Sequence, residues 1–115
     1  MDNLLELRDA LRDFCAERDW DQFHSPKNLA IALSVEASEL LERFQWLTDD
    51  GSKALSEETF EAVRQEMADV LLYLIRLADK LDVNLLHAAE AKLRINATKY
   101  PVDKSRGCSR KYTEL

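Results

Sequence analysis

From Ser56 to Lys80 the chain contains neither glycine nor proline, and Phe60, Val63, Met67, Val70, Leu74, Leu77 and Leu81 return at helical spacing. Apolar residues every three or four positions line one face of an α-helix, whereas strand side chains change face at every residue. Ser56 suits the N-cap, and Glu57 and Glu58 complement the positive end of the helix dipole. Leu55 and Phe60 hold the two positions of a hydrophobic staple. The segment predicts a long helix ending near Lys80.

Three more helices follow from the same signals. Leu4, Leu7, Leu11 and Phe14 recur with Arg8, Asp9, Arg12 and Asp13 interleaved, predicting a first helix that fades near Asp19 into an aromatic loop, WDQFHSP. Ser25 and Pro26 are an N-cap and a first helical residue, and the helix they open is expected to run to about Leu47. Asp49-Asp50-Gly51 then reads as a turn. Asn84 caps a fourth helix through Leu85, Ala88, Ala89 and Leu93 toward Lys99, stopped by Pro101. The tail from Val102 to Leu115 is read as a flexible segment without regular structure.

The whole chain has two glycines and two prolines among 115 residues, too few for the turns of a sheet protein. An all-α, four-helix-bundle-like single domain over residues 1–115 is therefore expected, with short connections making antiparallel neighbours. A formal charge of −6 argues against DNA, RNA or a membrane surface as partner. Cys15 and Cys108 form no Cys-x-x-Cys pair and read as reduced thiols. The acidic, amphipathic start MDNLLELRDALRD is unlike a signal peptide, and no apolar run approaches the ~20 residues of a membrane span. A cytoplasmic protein is expected.

The chemistry sits in SVEASELLERFQW, where acids intrude on an apolar face. On a wheel of about 100° per residue with Glu36 at zero, Leu29 and Leu47 fall near +20°, Leu40 near +40°, Leu33 near +60° and Phe44 near +80°. Glu36 is thus on the arc and Glu39, near −60°, at its edge. Glu66 and Asp69 repeat the arrangement on the third helix, Glu66 among Val63, Val70, Leu74 and Leu77. If these faces meet, four carboxylates converge, and buried unpaired carboxylates must neutralise or find positive partners. Arg43 and Arg76 can pair with one or two of them. A hard divalent cation, Mg²⁺ or Mn²⁺, with oxygen ligands satisfies all four. The plainer alternative leaves each acid half-exposed or salt-bridged, since Glu-x-x-Glu is common in acidic helices. A di-iron bundle would ask for Glu-x-x-His, which neither helix offers.

Glu36-x-x-Glu39 followed by Glu66-x-x-Asp69, with RDWDQFHSPKNLAIALSVEASELLERFQW, EMADVLLYLIRLAD and KLRINATKYPVDKSRGCSRKYTEL, resembles the all-α MazG-like nucleoside triphosphate pyrophosphohydrolases. The similarity is to their dCTP pyrophosphatase-like branch and covers nearly the whole chain. It implies that Glu36, Glu39, Glu66 and Asp69 hold Mg²⁺ bound to a triphosphate. In that reading water attacks the α-phosphorus to give a monophosphate and pyrophosphate, with Glu39 as the group that activates it. The chain has no P-loop, so phosphate binding would rest on metal and scattered basic groups.

The resemblance also implies an aromatic base pocket of Trp20, Trp46 and Tyr73 with His24 as a polar member. Without it, Trp20 and Trp46 read as core or interface fillers, Tyr73 as core with its hydroxyl on a carboxylate, and His24 as a surface residue. Lys92, Asn96, Lys99 and Tyr100 would contact phosphates or sugar, or else form a solvated helix end. Lys111 and Tyr112 could close over substrate from a neighbouring chain. Ala37 and Leu41, with Met67 and Leu71, extend the apolar surface beyond one arc, predicting self-association. The resemblance implies a dimer of dimers. Nucleotide-pool house-cleaning is the implied purpose, and the rival is a non-catalytic, antitoxin-like helical dimer whose acids form only a polar seam.

Overall fold

A computed structural model describes residues 3–115; Met1 and Asp2, which open the acidic N-terminal stretch, lie outside the described residues. The chain forms two compact units, one through Asp82 and one from Val83 to Leu115. Both are built of helices, and no strand occurs among the described residues. No helix among them is long and apolar enough to cross a membrane.

The first unit holds α1 (Leu4–Glu17), α2 (Pro26–Glu42), the one-turn α3 (Asp49–Ser52) and α4 (Glu57–Lys80). The longest helix, α4, is the spine along which α2 packs and onto which α1 docks. Cys15, Leu29, Val63, Ile75 and Ala78 are the buried apolar residues that join the three. Arg12 on α1 also forms a bidentate pair with Asp79 on α4, at 2.7 and 2.5 Å.

Each long helix starts where its cap dictates. Asn3, Ser25 and Ser56 accept backbone N–H bonds from Glu6, Asn28 and Thr59 through their side-chain oxygens. Each such bond stabilises its helix by about 1 kcal/mol. At the far end of α1, Asp19 takes a left-handed conformation (φ 54°). Its N–H reaches the carbonyl of Ala16 at 3.1 Å, and that of Trp20 reaches Cys15 at 3.0 Å. This paired closure is a Schellman motif, and its usual hydrophobic contact is the edge of Trp20 against Phe14, ring centres 5.6 Å apart.

The expected end of α2 needs correction. The helix stops at Glu42, not Leu47, because Arg43 and Phe44 turn their N–H groups to the carbonyls of Leu40 and Leu41 in a tighter coil. Thr48 then caps α3, its Oγ1 accepting the Gly51 N–H at 3.0 Å, so the expected turn at Asp49-Asp50-Gly51 is one turn of helix. Leu47 consequently leaves the apolar arc of α2 and is 42% exposed.

In the second unit Asn84 accepts the His87 N–H at 3.0 Å and opens α5 (Leu85–Lys99), as expected. The tail is not without structure: it forms α6 (Val102–Ser105) and a 3-10 turn over Tyr112–Glu114. Gly107, at φ 70°, supplies the left-handed residue that lets the chain turn after α6. The Tyr112 ring meets Tyr100 edge-on at 6.0 Å and lies under the Lys99 ammonium at 4.6 Å. These aromatic contacts hold the tail against α5, which the basic composition of the segment did not suggest.

Candidate active site

Because α2 lies along α4, its acids face those of its neighbour. One carboxylate oxygen from each of Glu36, Glu39 and Glu66 lies within 4.8 Å of the other two. Oε2 of Glu36 and Oε2 of Glu66 are buried and have no hydrogen-bond partner among the described residues. Glu66, with its side chain 13% exposed, accepts a bond from Arg43 at 3.3 Å through its other oxygen.

The electrostatic consequence falls on Glu36, whose carboxyl is pushed up from 4.5 to about 7. Burial is the main cause, followed by a hydrogen bond with Glu39 and by the charges of Glu39, Asp69 and Glu66. A bond between two carboxyl groups requires a proton on one of them. Proton sharing is one way such a cluster lowers its repulsion, and a cation is the other. An all-oxygen donor set with two unpaired buried oxygens fits a hard divalent ion.

Asp69 is not part of that mutual 4.8 Å group, yet its charge acts on Glu36 ahead of that of Glu66. It follows Glu66 by one turn of α4, is exposed, and lines the adjoining pocket. Of the four carboxylates expected from the sequence, three share the 4.8 Å group and the fourth lines the pocket while its charge acts on Glu36.

That pocket is a cavity of roughly 230 Å³, walled by Leu11, Phe14 and Cys15 of α1, Trp20 and His24 of the connecting loop, and Asp69, Leu72, Tyr73 and Arg76 of α4. Trp20 is aimed by the closure of α1, and its ring meets His24 edge-on at 6.4 Å. Tyr73 links pocket to acids. Burial raises its phenol above the ordinary 10.0, and the charges of Glu36 and Asp69 push the same way.

Arg76 is 5% exposed, yet it joins none of the three glutamates. Its guanidinium pairs with Asp21, lies 3.7 Å from Asp79, and donates from Nε to Nδ1 of His24 at 3.1 Å. The expected pairing of an arginine with the acids therefore falls to Arg43 alone of the two candidates. His24 is half-buried, and burial together with the Lys80 charge lowers its pKa below 6.5.

Of the expected aromatic trio, the structure brings Trp20 and Tyr73 to the pocket but not Trp46. Trp46 lies in the turn beyond Glu42 and is 88% exposed, a result of the early end of α2. Lys92, Asn96, Lys99 and Tyr100 belong to the second unit, where the last two gather around Tyr112. Lys111 precedes the terminal 3-10 turn.

The sequence reading missed Leu11, Phe14, Cys15, Leu72 and Arg76 as pocket walls. A usable signal existed on α4: Asp69, Leu72, Tyr73 and Arg76 are spaced i, i+3, i+4, i+7, one continuous face. The α1 residues carried no such mark, because Leu11 and Phe14 look like any core stripe.

Residues 31–115 match the model of the MazG-like family. A dCTP pyrophosphatase 1 from Homo sapiens is 46% identical over 97% of this chain and 67% of its own length. Its counterpart from Bos taurus is 44% identical over 97% and 68%. Among solved structures, a pyrophosphatase from Archaeoglobus fulgidus superimposes with a TM-score of 0.80 at 43% identity, covering 84% of this chain and 90% of that one. The resemblance read from the paired acids and their flanking segments is borne out: this chain belongs to the MazG-like family.

Proposed function

We propose that this protein is a Mg²⁺-dependent pyrophosphohydrolase that converts a deoxynucleoside triphosphate, with dCTP as the first choice, to its monophosphate and pyrophosphate. One observation carries it. A trio of carboxylates with unpaired buried oxygens adjoins an aromatic pocket, and Tyr73 belongs to the pocket while feeling the charge of Glu36. Relatives named dCTP pyrophosphatase support the choice of base.

Glu36, Glu39 and Glu66, with Asp69 at the pocket wall, would hold the ion. When bound, a divalent cation offsets phosphate charge and lowers the pKa of water. Glu39 is assigned to orient the attacking water and take its proton. The bond between the α-phosphorus and the oxygen bridging to the β-phosphate breaks, and that oxygen leaves with pyrophosphate. The cavity is smaller than the ~300–1,000 Å³ of pockets that enclose whole drug-sized ligands, so it suits a single ring with the triphosphate outside. Trp20 and Tyr73 supply aromatic surface for that ring, where stacking is worth ~1–3 kcal/mol per base. Lys92, Asn96, Lys99 and Tyr100 are assigned to phosphate and sugar.

Self-association belongs to the same proposal. Leu41 and Met67 are 61% and 56% exposed, and Ile31, Val35, Phe60 and Leu71 are exposed on the same two helices. A second copy of the chain would cover this surface, and a dimer of dimers in the cytoplasm is the assembly put forward.

Pyrophosphate release from a panel of deoxy- and ribonucleoside triphosphates, with Mg²⁺ and with chelator, tests the activity. The expected result is metal-dependent release that is greatest for dCTP. No turnover of any nucleotide, together with no thermal shift on adding Mg²⁺, would leave the antitoxin-like interaction module as the better description.

A further inference from the structure

Arg76 is more deeply buried than any other charged residue described, and its partners exceed what its charge needs. Asp21 and Asp79 already offer two carboxylates to one guanidinium. Asp79 is itself held by Arg12, and Asp21 by Lys80 at 3.2 Å, so the network is closed at both ends. Nε of Arg76 is instead directed at a neutral acceptor, Nδ1 of His24, 3.1 Å away.

That bond has a chemical consequence. Arginine has five N–H donors, no acceptor, and stays protonated throughout the range in which proteins work. Nδ1 of His24 can therefore meet it only with a lone pair. A neutral imidazole carries one proton, and with Nδ1 accepting, that proton must reside on Nε2. Both residues line the pocket, so the ring nitrogen remaining for a ligand is an N–H donor and never an acceptor.

Resting on the reading of this cavity as the base site, we infer that Arg76 is a positioning residue. It holds His24 in the Nε2–H tautomer, so the pocket selects rings that present a carbonyl oxygen or an unprotonated ring nitrogen to that hydrogen. Pyrimidine bases offer such an edge. A ring that places a donor there meets donor against donor, and a site built to hydrogen-bond one edge rejects rings lacking it far more strongly than an apolar slot would.

The tautomer is measured directly by multiple-bond ¹H–¹⁵N correlation on the histidine-labelled protein at pH 7.5. Only His24 and His87 contribute, and His87→Gln assigns the signals. The expected pattern is a neutral His24 with its proton on Nε2, and a mixture of tautomers in Arg76→Lys. A proton on Nδ1 in the unaltered protein overturns the inference, with neither His24 nor Arg76 altered and no substrate needing to turn over.

Kinetics then separate positioning from plain stability. Arg76→Lys should raise KM for the preferred nucleotide about tenfold with kcat within about twofold, the size of one lost hydrogen bond. His24→Gln keeps an N–H donor independent of Arg76, so adding Arg76→Lys to it should change KM no further. Additive losses in the double variant, or a fall in kcat at constant KM, would refute a role exerted through His24. Should no nucleotide be hydrolysed at all, the proposed activity fails while the spectrum still decides the tautomer.

Discussion

At the level of single residues, Glu36 concentrates the tension in this fold. Its carboxyl titrates near 7 in the folded protein against an ordinary 4.5, raised first by burial and then by its acidic neighbours. Below about pH 4.5 the group is protonated whether the chain is folded or not. Between 4.5 and 7 the unfolded chain releases the proton that the folded chain keeps, so metal-free stability should fall as pH rises through that window. Glu36→Gln, which cannot ionise, should flatten the decline in melting temperature between pH 5 and 7.5; an unchanged slope would mean the burden lies elsewhere. Glu39→Gln should lower kcat by at least ~10²-fold, as expected for losing a general base, and should reduce the thermal shift produced by Mg²⁺. The presence of acids on an apolar arc was legible from spacing alone. Which of them come within 4.8 Å of one another was not, because a wheel records angle around one helix and says nothing of the distance to its neighbour.

Helix ends, at the next scale up, decide which side chains reach the pocket. The α1 closure places Trp20 beside Phe14 at the expense of a left-handed aspartate, Asp19. Glycine pays no steric penalty in that conformation, so Asp19→Gly should stabilise the protein by about 0.5–1 kcal/mol. The Gln22 amide would keep its bond to the backbone carbonyl of residue 19 while losing the one to the side chain. A raised urea midpoint at constant slope is the expected measurement, and Asp19→Val should move it the other way. Ser56→Ala should cost about 1 kcal/mol by removing the cap of α4, the helix on which the other two rest. The three caps at Ser25, Ser56 and Asn84 could be read because capping is chemistry between residues three apart. The end of α2 could not, since Thr48 and the tighter bonds at Arg43 and Phe44 compete with an apolar pattern that runs on to Leu47.

For the whole molecule, the exposed apolar surface of α2 and α4 sets the expectation. Leu41→Glu combined with Met67→Glu should convert an associated species to monomer in sedimentation velocity; a monomer before substitution would remove self-association from the proposal. By itself the sequence determined the helices, most of their caps, the membership in the MazG-like family and the two acid pairs, because periodicity, capping and motif spacing are local. Tertiary structure alone decided which carboxylates cluster, that Arg76 turns to Asp21, Asp79 and His24 instead of the three glutamates, and that Trp46 faces solvent while Leu11 and Phe14 wall a cavity. Those outcomes depend on how α1 and α2 seat on α4, where distance across helices, burial and the loss of water set the strength of every charge and hydrogen bond.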